Sequence, residues 1–455
     1  MERPEENDMN TRHPELWDEP DHIRKEMART MDHIYSHGMT TTSGGNMSVI
    51  DSLGNIWITP SGTDKGSLRP DEIVCVAPDG TFEGALKPSV EYPLHHAVYN
   101  ARPDIRAVIH AHPPMLTSFS IVHRIPDTSV IREWREICGT AGYAGYATPG
   151  TGEMGENVAA QFIEGHNVVI MENHAAVAGG KDLAEALARL ETLEYCARTL
   201  HAAAVIGEIR IPDNDMNDNP ELTGGSQLPH SGSGKYPCET ESVMTPEEER
   251  LSDEICRIAE RACSRGLMYG FCGDFSVRST GDSFLITRDG IVRYDIKKRD
   301  IIRGGAGTDD IAIAGSPGTG PASWLHGEIY RRFRSVNAVI TARPPYLMAF
   351  AVTGKEIDVR TIPESWLLLQ EMPSLPPDAL QPGREDVFAS LTGGIPAVMI
   401  RNDLVTVTGD SLLQAFDRLE VAEMTAMSLV LSQSLGKVQP IAEEQINALR
   451  KSLVK

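Results

Sequence analysis

The stretch LHHAVYNARPDIRAVIHAHPP, at residues 94–114, returns later in the chain as LHGEIYRRFRSVNAVITARPP, at residues 325–345. The two stretches lie 231 residues apart and keep the same small and rigid residues, for example Ala107 and Ala338. A long segment that recurs at a fixed distance is typical of a duplicated structural unit. We therefore expect the helix and strand of the first stretch to occur twice.

Three more blocks of the chain repeat in the same order. The first pair is GGNMS, which starts at residue 44, and CGDFS, which starts at residue 272. The second pair is IWITPSG, from residue 56, and FLITRDG, from residue 284. The third pair is NHAAVAGGKDLAEALARLE, from residue 173, and NDLVTVTGDSLLQAFDRLE, from residue 402. The offsets stay between 228 and 231 residues throughout. The order and the constant offset indicate two copies of one domain.

The repeat divides the chain into four parts. Copy one is predicted at residues 21–208 and copy two at residues 245–455. Residues 209–244 are rich in Pro, Gly, Ser, Asn and Asp, which predicts a linker that cannot bury enough apolar surface to fold. Residues 1–20 are predicted to be a loosely held tail.

Composition excludes several classes of function for this chain. Its 455 residues fit two or three domains, and its net charge of −22 argues against a nucleic-acid partner. No apolar run is long enough for a membrane helix, and the polar, acidic start is unlike a signal peptide. The seven cysteines form no CxxC pair, which favours reduced thiols and a cytoplasmic location.

Copy one shows an alternation of strand and helix patterns. Short apolar runs such as AVIHAH and VVIMENH predict strands, and a long helix is predicted from Asp182 to His201. Pro88 is predicted to open another helix, on which Glu91, His95 and Tyr99 recur at every fourth residue. This order predicts a sheet with helices packed on it.

Two histidines in AVIHAH are candidates for a metal site. His110 and His112 stand two residues apart, so on a strand their imidazoles point to the same face. Imidazole is the commonest metal ligand at neutral pH. His174, at the end of the VVIMEN run, is the predicted third ligand, which leaves coordination positions open for a substrate.

Copy two serves as an internal comparison for these histidines. Its equivalent residues are Thr341, Arg343 and Asp403, whereas neighbouring packing residues are retained. Glu91 is likewise replaced, by Ala322. Three predicted ligands and a carboxylate that change together indicate a site that was lost as a unit from copy two. A carboxylate beside a metal can act as a general base, and we assign that role to Glu91.

Two glycine-rich turns and a short loop are candidates for binding an anion. Glycines allow backbone N–H groups to approach an anion closely, and a helix N-terminus adds a favourable dipole. The turns are TTTSGGNMS and TPSGTDKG, and the loop is KPS at residues 87–89. Asn46, Ser61 and Ser89 are predicted to add side-chain hydrogen bonds.

Together the motifs GGNMS, ITPSG, KPSVE, HHAVY, AVIHAHP and NHAAVAGG resemble the class II aldolase/adducin family, which includes L-fuculose-phosphate aldolase. The resemblance covers both copies. It implies an α/β/α sandwich around a largely antiparallel central sheet, in two tandem copies. It also implies Zn²⁺, or another divalent cation, on His110, His112 and His174, with one ion per chain. The substrate phosphate would lie at Gly45, Asn46, Ser61, Gly62 and Ser89.

The implied reaction is cleavage of a C–C bond in a ketose or ketose phosphate through an enediolate. Three other reactions need the same metal and carboxylate and therefore remain alternatives. They are decarboxylation of a sugar acid, and dehydration or epimerisation of a ketose phosphate. A non-enzymatic, adducin-like scaffold is the alternative from another class. The resemblance also implies a homo-oligomer, in which two tandem chains form a pseudo-tetramer or a larger assembly.

Two positions depart from the family pattern. Val90 stands where related aldolases have a second serine of the anion site, and Val130 stands where they contribute a tyrosine to a neighbouring subunit. Arg132, Trp134, Tyr143 and Tyr146 are the candidates that could replace this tyrosine. The substrate and its phosphorylation are therefore left open.

Overall fold

A computed structural model describes residues 18–211, 244–281, 283–305, 322–381 and 383–453. Most of the predicted tail and linker, residues 1–17 and 212–243, lies outside the described residues. The boundaries of the four parts therefore stay a prediction. Among the described residues, no helix has the length and apolar character needed to cross a membrane.

Copy one forms seven strands and six α-helices in an alternating order. They are α1 (Pro20–Ser36), β1 (Asn46–Ile50), β2 (Ile56–Ile58), β3 (Val74–Val76), α2 (Tyr92–Ala101), β4 (Ala107–Ala111), α3 (Pro114–Ile121), α4 (Arg132–Cys138), β5 (Gly142–Ala144), α5 (Gly152–Ile163), β6 (Val168–Met171), β7 (Ala176–Gly180) and α6 (Leu183–Ile206). The predicted strands and the long helix are confirmed, with Asp182 as the N-cap of α6.

The described part of copy two repeats this order. Its elements are α7 (Pro246–Ser264), β8 (Asp274–Arg278), β9 (Ser283–Thr287), β10 (Ile301–Gly305), α8 (Ala322–Arg332), β11 (Ala338–Ala342), α9 (Pro345–Thr353), α10 (Pro363–Leu369), β12 (Ser374–Leu375), α11 (Asp386–Thr392), β13 (Ala397–Ile400), β14 (Val405–Gly409), α12 (Leu412–Ser432) and α13 (Glu443–Leu453). The duplication of the fold is therefore confirmed.

Each copy builds one seven-stranded sheet with the same topology. The strand orders are β3-β2-β1-β4-β7-β6-β5 and β10-β9-β8-β11-β14-β13-β12. The pairs β5–β6 and β12–β13 are parallel and the other pairs are antiparallel. Along β4, Ile109 joins the core on one face and Val108 the core on the other. Because both faces are covered, the predicted sandwich around a largely antiparallel sheet is confirmed.

The start of the helix that follows Pro88 was predicted wrongly. Helix α2 begins at Tyr92, and Glu91 is its N-cap residue. Backbone hydrogen bonds hold the preceding loop in an extended form, from Ser61 N–H to the Lys87 carbonyl and from Ser89 N–H to the Thr59 carbonyl. These bonds prevent the loop from joining the helix, so Glu91 lies at its end.

One hydrophobic core runs through both copies. Helix α9 of copy two packs along α6 of copy one. The indole N–H of Trp134 donates to the Tyr269 hydroxyl across the boundary, at 2.9 Å. The two copies therefore form one packed unit.

A buried carboxylate of copy one also joins the copies. Glu191 accepts hydrogen bonds from the His33 Nε2 and from the backbone N–H of Gly270 in copy two, both at 2.7 Å. Burial by itself raises the pKa of Glu191, but the charge of His33 and these hydrogen bonds outweigh burial and lower the pKa overall. The carboxylate is thus held in its charged form.

We predict that Glu191→Ala lowers the free energy of unfolding by about 3 kcal/mol, because removal of one partner leaves a buried polar group unpaired. Chemical denaturation at neutral pH measures this loss. Glu247→Ala, which removes an exposed ion pair with Arg250, is the control and should leave stability unchanged. An equal loss in both variants would contradict the role of Glu191.

The same contact predicts how stability depends on pH. The folded pKa of Glu191 lies below the ordinary value of 4.5, so the contact contributes fully above pH 4.5 and is lost as pH falls through the folded pKa. The acid-dependent loss of stability should therefore be smaller in Glu191→Ala than in the unmodified chain.

Candidate functional site

The three predicted histidines meet at one end of the central strand of copy one. His110 is on β4, His112 directly follows β4, and His174 lies in the turn between β6 and β7. Strands β4 and β7 are hydrogen-bonded neighbours, with His110 opposite Val177, which brings the turn to the end of β4. The imidazole centroids are 4.8, 4.9 and 5.3 Å apart.

The histidines are arranged to offer lone pairs. The Nδ1 of His110 lies 3.1 Å from the Ala176 carbonyl, so Nδ1 carries the proton and Nε2 is left with its lone pair. The Nε2 of His110 and the Nδ1 of His112 are buried and without a hydrogen-bond partner. Burial and the neighbouring histidines lower the pKa of His110 well below its usual value, which keeps the imidazole neutral.

These observations fit a divalent cation. One nitrogen from each histidine can be chosen so that all three lie within 4.8 Å of one another. Neutral imidazoles are the form that binds metal ions, and buried nitrogens without partners are costly unless something binds them. His110, His112 and His174 would therefore hold the ion, and open positions would remain for a substrate.

Glu91 places a carboxylate against the same histidines. Its Oε2 is 3.3 Å from the His110 Nε2, and its Oε1 is 3.7 Å from the His174 Nε2. The amide of Asn46 donates to Oε2 at 2.6 Å. The N-cap position of Glu91 on α2 thus directs both carboxylate oxygens into the histidine cluster.

A buried hydrogen-bond chain supports Glu91 from behind. The Nε2 of His95 contacts the Asn46 side-chain oxygen at 2.5 Å, and Ser48 lies 2.7 Å from both the His95 Nδ1 and the Tyr99 hydroxyl. Burial lowers the pKa of His95 to about 3, so this ring is neutral. This chain of hydrogen bonds holds the Asn46 amide in the orientation in which its N–H donates to Glu91.

Copy two retains the inner part of this hydrogen-bond chain. Ser276 lies 2.7 Å from the His326 Nδ1 and 2.8 Å from the Tyr330 hydroxyl. The chain then reaches Thr341, the counterpart of His110, at 3.3 Å. The serine, histidine and tyrosine are therefore part of the architecture of both copies, and the asparagine and glutamate are particular to copy one.

Three of the five predicted anion-binding residues, Gly45, Asn46 and Ser89, lie against His110 or Glu91. A side chain on Gly45 would approach the His110 carbonyl oxygen to 2.8 Å, so glycine is needed there for close strand packing. The Ser89 hydroxyl accepts from the Glu91 N–H at 3.3 Å. Ser61 and Gly62 lie on the turn that is hydrogen-bonded to residues 87–89. A role in anion binding stays a prediction for all five residues, and the amide of Asn46 is already bound to His95 and Glu91.

Lys65 is a residue at this turn that the sequence analysis missed. Its ammonium group is buried and donates to the Pro60 carbonyl at 2.8 Å. Its counterpart in copy two, Arg293, is also buried and donates to the Arg288 carbonyl at 2.8 Å. A cationic residue at the same position in both copies was a signal that the internal comparison could have used, although its burial was not visible in the sequence.

Copy two has a side-chain ion pair where copy one has the histidines. The guanidinium of Arg343, the counterpart of His112, lies 3.1 Å from Asp403, the counterpart of His174. Arg343 also forms an ion pair with Glu133 of copy one. Within the described ranges, clustered metal-type ligands are found in copy one alone. The positively charged side chain of Arg343 thus occupies the part of copy two that corresponds to the histidine cluster of copy one.

The structure places two of the four candidates that could replace the family tyrosine, Trp134 and Tyr146, in different surroundings. Trp134 is fully buried and bonded to Tyr269 of copy two, and the Val130 carbonyl accepts from Asn402 of copy two at 3.0 Å. Trp134 therefore does not complete the site of copy one. Tyr146 is exposed and lines a small cavity together with His174.

Both copies match the family described as "Class II Aldolase and Adducin N-terminal domain", over residues 25–201 and 253–430. The 3-oxo-tetronate 4-phosphate decarboxylase of Escherichia coli strain K12 is 30% identical over 182 residues, which are 39% of this chain and 85% of that protein. The L-fuculose phosphate aldolase of Methanococcus maripaludis (strain DSM 14266) is 33% identical over 166 residues, which are 36% of this chain and 88% of that protein. A solved structure of an L-fuculose 1-phosphate aldolase is 32% identical and covers 43% of this chain and 92% of that chain, with a TM-score of 0.40.

We predict that the chain binds about one divalent ion, because the clustered imidazoles occur in copy one. Elemental analysis of protein loaded with Zn²⁺ and then desalted measures the ratio. His112→Ala should lose the ion, whereas His123→Ala, at an exposed histidine, should retain it. Two ions per chain, or binding that is unchanged in His112→Ala, would contradict the site.

Proposed function

This chain belongs to the class II aldolase and adducin family, and from that premise we propose that copy one is a divalent-metal lyase. Its reaction is cleavage of a C–C bond in a ketose or ketose phosphate through an enediolate. We assign catalysis to residues 21–208 and a structural role to residues 245–455, joined by residues 209–244. The observation that carries the proposal is the Glu91 carboxylate 3.3 Å from the nearest nitrogen of a cluster of three histidines, of which His110 is buried and the other two are half-buried.

The residues of copy one would each have a separate role in such a reaction. A divalent cation held by the three histidines would act as a Lewis acid and stabilise negative charge that develops on the substrate oxygens. Glu91 would carry a proton to or from the substrate carbon at the broken bond. Asn46 holds the Glu91 carboxylate in place through a hydrogen bond of 2.6 Å, so that the base does not have to reorganise.

The turns beside the histidines would hold the far end of the substrate. Ser61 and Ser89 can donate hydroxyl hydrogen bonds, and Gly45 and Gly62 leave backbone groups accessible to an anion. Lys65 stabilises the turn from inside through its bond to the Pro60 carbonyl. This arrangement suits a phosphate or another anionic group on a sugar.

Decarboxylation of a phosphorylated 3-oxo sugar acid is the second candidate. It is favoured by the relative named 3-oxo-tetronate 4-phosphate decarboxylase, which matches most of its length to this chain. Loss of CO₂ and aldol cleavage both leave an electron pair on a carbon beside a carbonyl group, so the same cation and carboxylate serve both reactions. The products distinguish the two reactions, because aldol cleavage releases an aldehyde and decarboxylation releases CO₂.

A screen of metal-loaded protein decides between these reactions. Ketose phosphates, free ketoses and 3-oxo acid phosphates are offered as substrates, and release of aldehyde and of CO₂ is measured. Aldehyde release supports the lyase, and CO₂ release from an oxo acid supports the decarboxylase. If neither aldehyde nor CO₂ is released but a substrate is consumed, dehydration or epimerisation is favoured, and if no substrate is consumed, the scaffold alternative is favoured.

We predict that Glu91→Gln lowers kcat by about 100-fold or more and leaves metal binding intact, because glutamine keeps the shape of the side chain but cannot move the proton. Turnover of the best substrate and elemental analysis measure the two properties. Glu156→Gln, at an exposed glutamate of α5, is the matched control. Normal turnover by Glu91→Gln would show that Glu91 is structural.

A further inference from the structure

The third histidine of the candidate site is carried by a turn and not by a strand. His110 lies within β4, whose hydrogen bonds to β1 and β7 fix its position. His174 lies between β6 and β7, outside both strands. Asn173, the residue before it, has a left-handed backbone with a φ of 51°. Because a residue outside a strand lacks the hydrogen bonds of the ladder, other contacts must hold His174 in place.

A buried serine of α3 supplies such a contact. The Ser120 hydroxyl donates at 2.7 Å to the carbonyl of Met171, the last residue of β6. It accepts a hydrogen bond from the backbone N–H of His174 at 2.9 Å. The Ser120 carbonyl also accepts from the Asn173 N–H, at 3.4 Å. A hydroxyl can donate one hydrogen bond while it accepts another, so the side chain of Ser120 bridges the two ends of the turn.

Copy two has an alanine where copy one has this serine. Ala351 is the counterpart of Ser120. The turn of copy two nevertheless has the same form, because Asn402, the counterpart of Asn173, has a φ of 55°. The backbone N–H of Asp403 donates across this turn at 3.2 Å, the distance that the equivalent bond has in copy one. The turn therefore forms without the serine, and the hydroxyl of copy one serves another purpose.

The exposure of α3 does not account for this difference between the copies. Ser118 of α3 is exposed, whereas its counterpart Ala349 is buried in α9. An alanine is expected there, since a hydroxyl is costly to bury without a partner. Ser120 and Ala351, in contrast, are both buried, with 0% and 1% of their surface exposed. The serine is therefore present where the histidines are present, in surroundings that are buried in either copy.

The residue that the turn carries is held differently in the two copies. In copy two the side chain of Asp403 lies 3.1 Å from the Arg343 guanidinium, a charge that belongs to the protein. In copy one the corresponding charge would be that of the metal ion, which can leave the site. A ligand that keeps its place without the ion costs less free energy to order when the ion binds. A backbone contact to His174 meets this need.

We propose that Ser120 is a positioning residue of the metal site, whose hydroxyl fixes the backbone of His174 so that the third imidazole is in place before the ion binds. The inference rests on the metal site of the proposed function and not on the reaction that the ion serves. Removal of a contact that orients a metal ligand typically lowers the affinity by roughly 10- to 100-fold. A loss of this size is therefore expected when the hydroxyl is removed.

Titration with Co²⁺ measures the effect of Ser120 on affinity. Ser120→Ala should raise the Kd for Co²⁺ by about 10-fold or more. Ser118→Ala makes the same exchange at an exposed serine of the same helix and should leave the Kd unchanged. Equal Kd values for Ser120→Ala and the unmodified chain would overturn this inference and leave the proposed function intact. If the unmodified chain binds no Co²⁺, the metal site is refuted, and the proposed function falls together with the inference.

The visible spectrum of bound Co²⁺ distinguishes positioning from a general loss of stability. The bands of Co²⁺ respond to the arrangement of its ligands. At saturating Co²⁺, Ser120→Ala should therefore shift or broaden these bands, and Ser118→Ala should not. A serine that only stabilises the fold would lower the unfolding temperature of the metal-free chain and leave the spectrum unchanged. That result would overturn the positioning role.

Hydrogen–deuterium exchange of the unmodified chain tests the same role without any variant. The peptide that contains His174 should exchange slowly in metal-free protein, and it should slow little further when Zn²⁺ is added, because Ser120 already holds the His174 N–H. Fast exchange that becomes slow with Zn²⁺ would show that the ion orders the turn, and would overturn the inference. In metal-free protein, Ser120→Ala should exchange faster than Ser118→Ala at this peptide.

Discussion

The position of β4 at the centre of its sheet is the constraint on which the site depends. Hydrogen bonds to β1 on one side and β7 on the other leave this strand no freedom to slip, and both of its faces are buried. A shift of one residue would turn His110 to the opposite face of the sheet. The same register places Asn46 opposite His110, so the strand positions the histidine and the amide that orients Glu91.

The second copy shows what this scaffold requires and what it tolerates. The strand register, the Ser–His–Tyr chain and the buried cation of the turn are kept, which indicates that they support the fold. In copy two, the Arg343 guanidinium occupies the counterpart of the metal site. Its charge is paired with the carboxylates of Asp403 and Glu133. A buried cation needs anions that pair with it. The loss of the histidines and the gain of the ion pairs of Arg343 therefore belong to the same change.

Several features of the site could be predicted because they depend on local rules. The period of two along a strand brought His110 and His112 together, and the repeat identified which residues copy two had replaced. The start of α2 could not be predicted, since the bonds from Ser61 and Ser89 that keep residues 87–89 extended come from a distant turn. Lys65 was missed for a related reason, because burial is a property of the packed chain.

The sequence by itself determined that the fold occurs twice, that copy one alone keeps the histidines and Glu91, and which family the motifs resemble. The tertiary structure decided where these groups meet and how the copies join. Glu133 reaches Arg343 and Trp134 reaches Tyr269 across separations of more than 130 residues. Local patterns carry no information about such contacts, because they form only when two completed surfaces pack against each other.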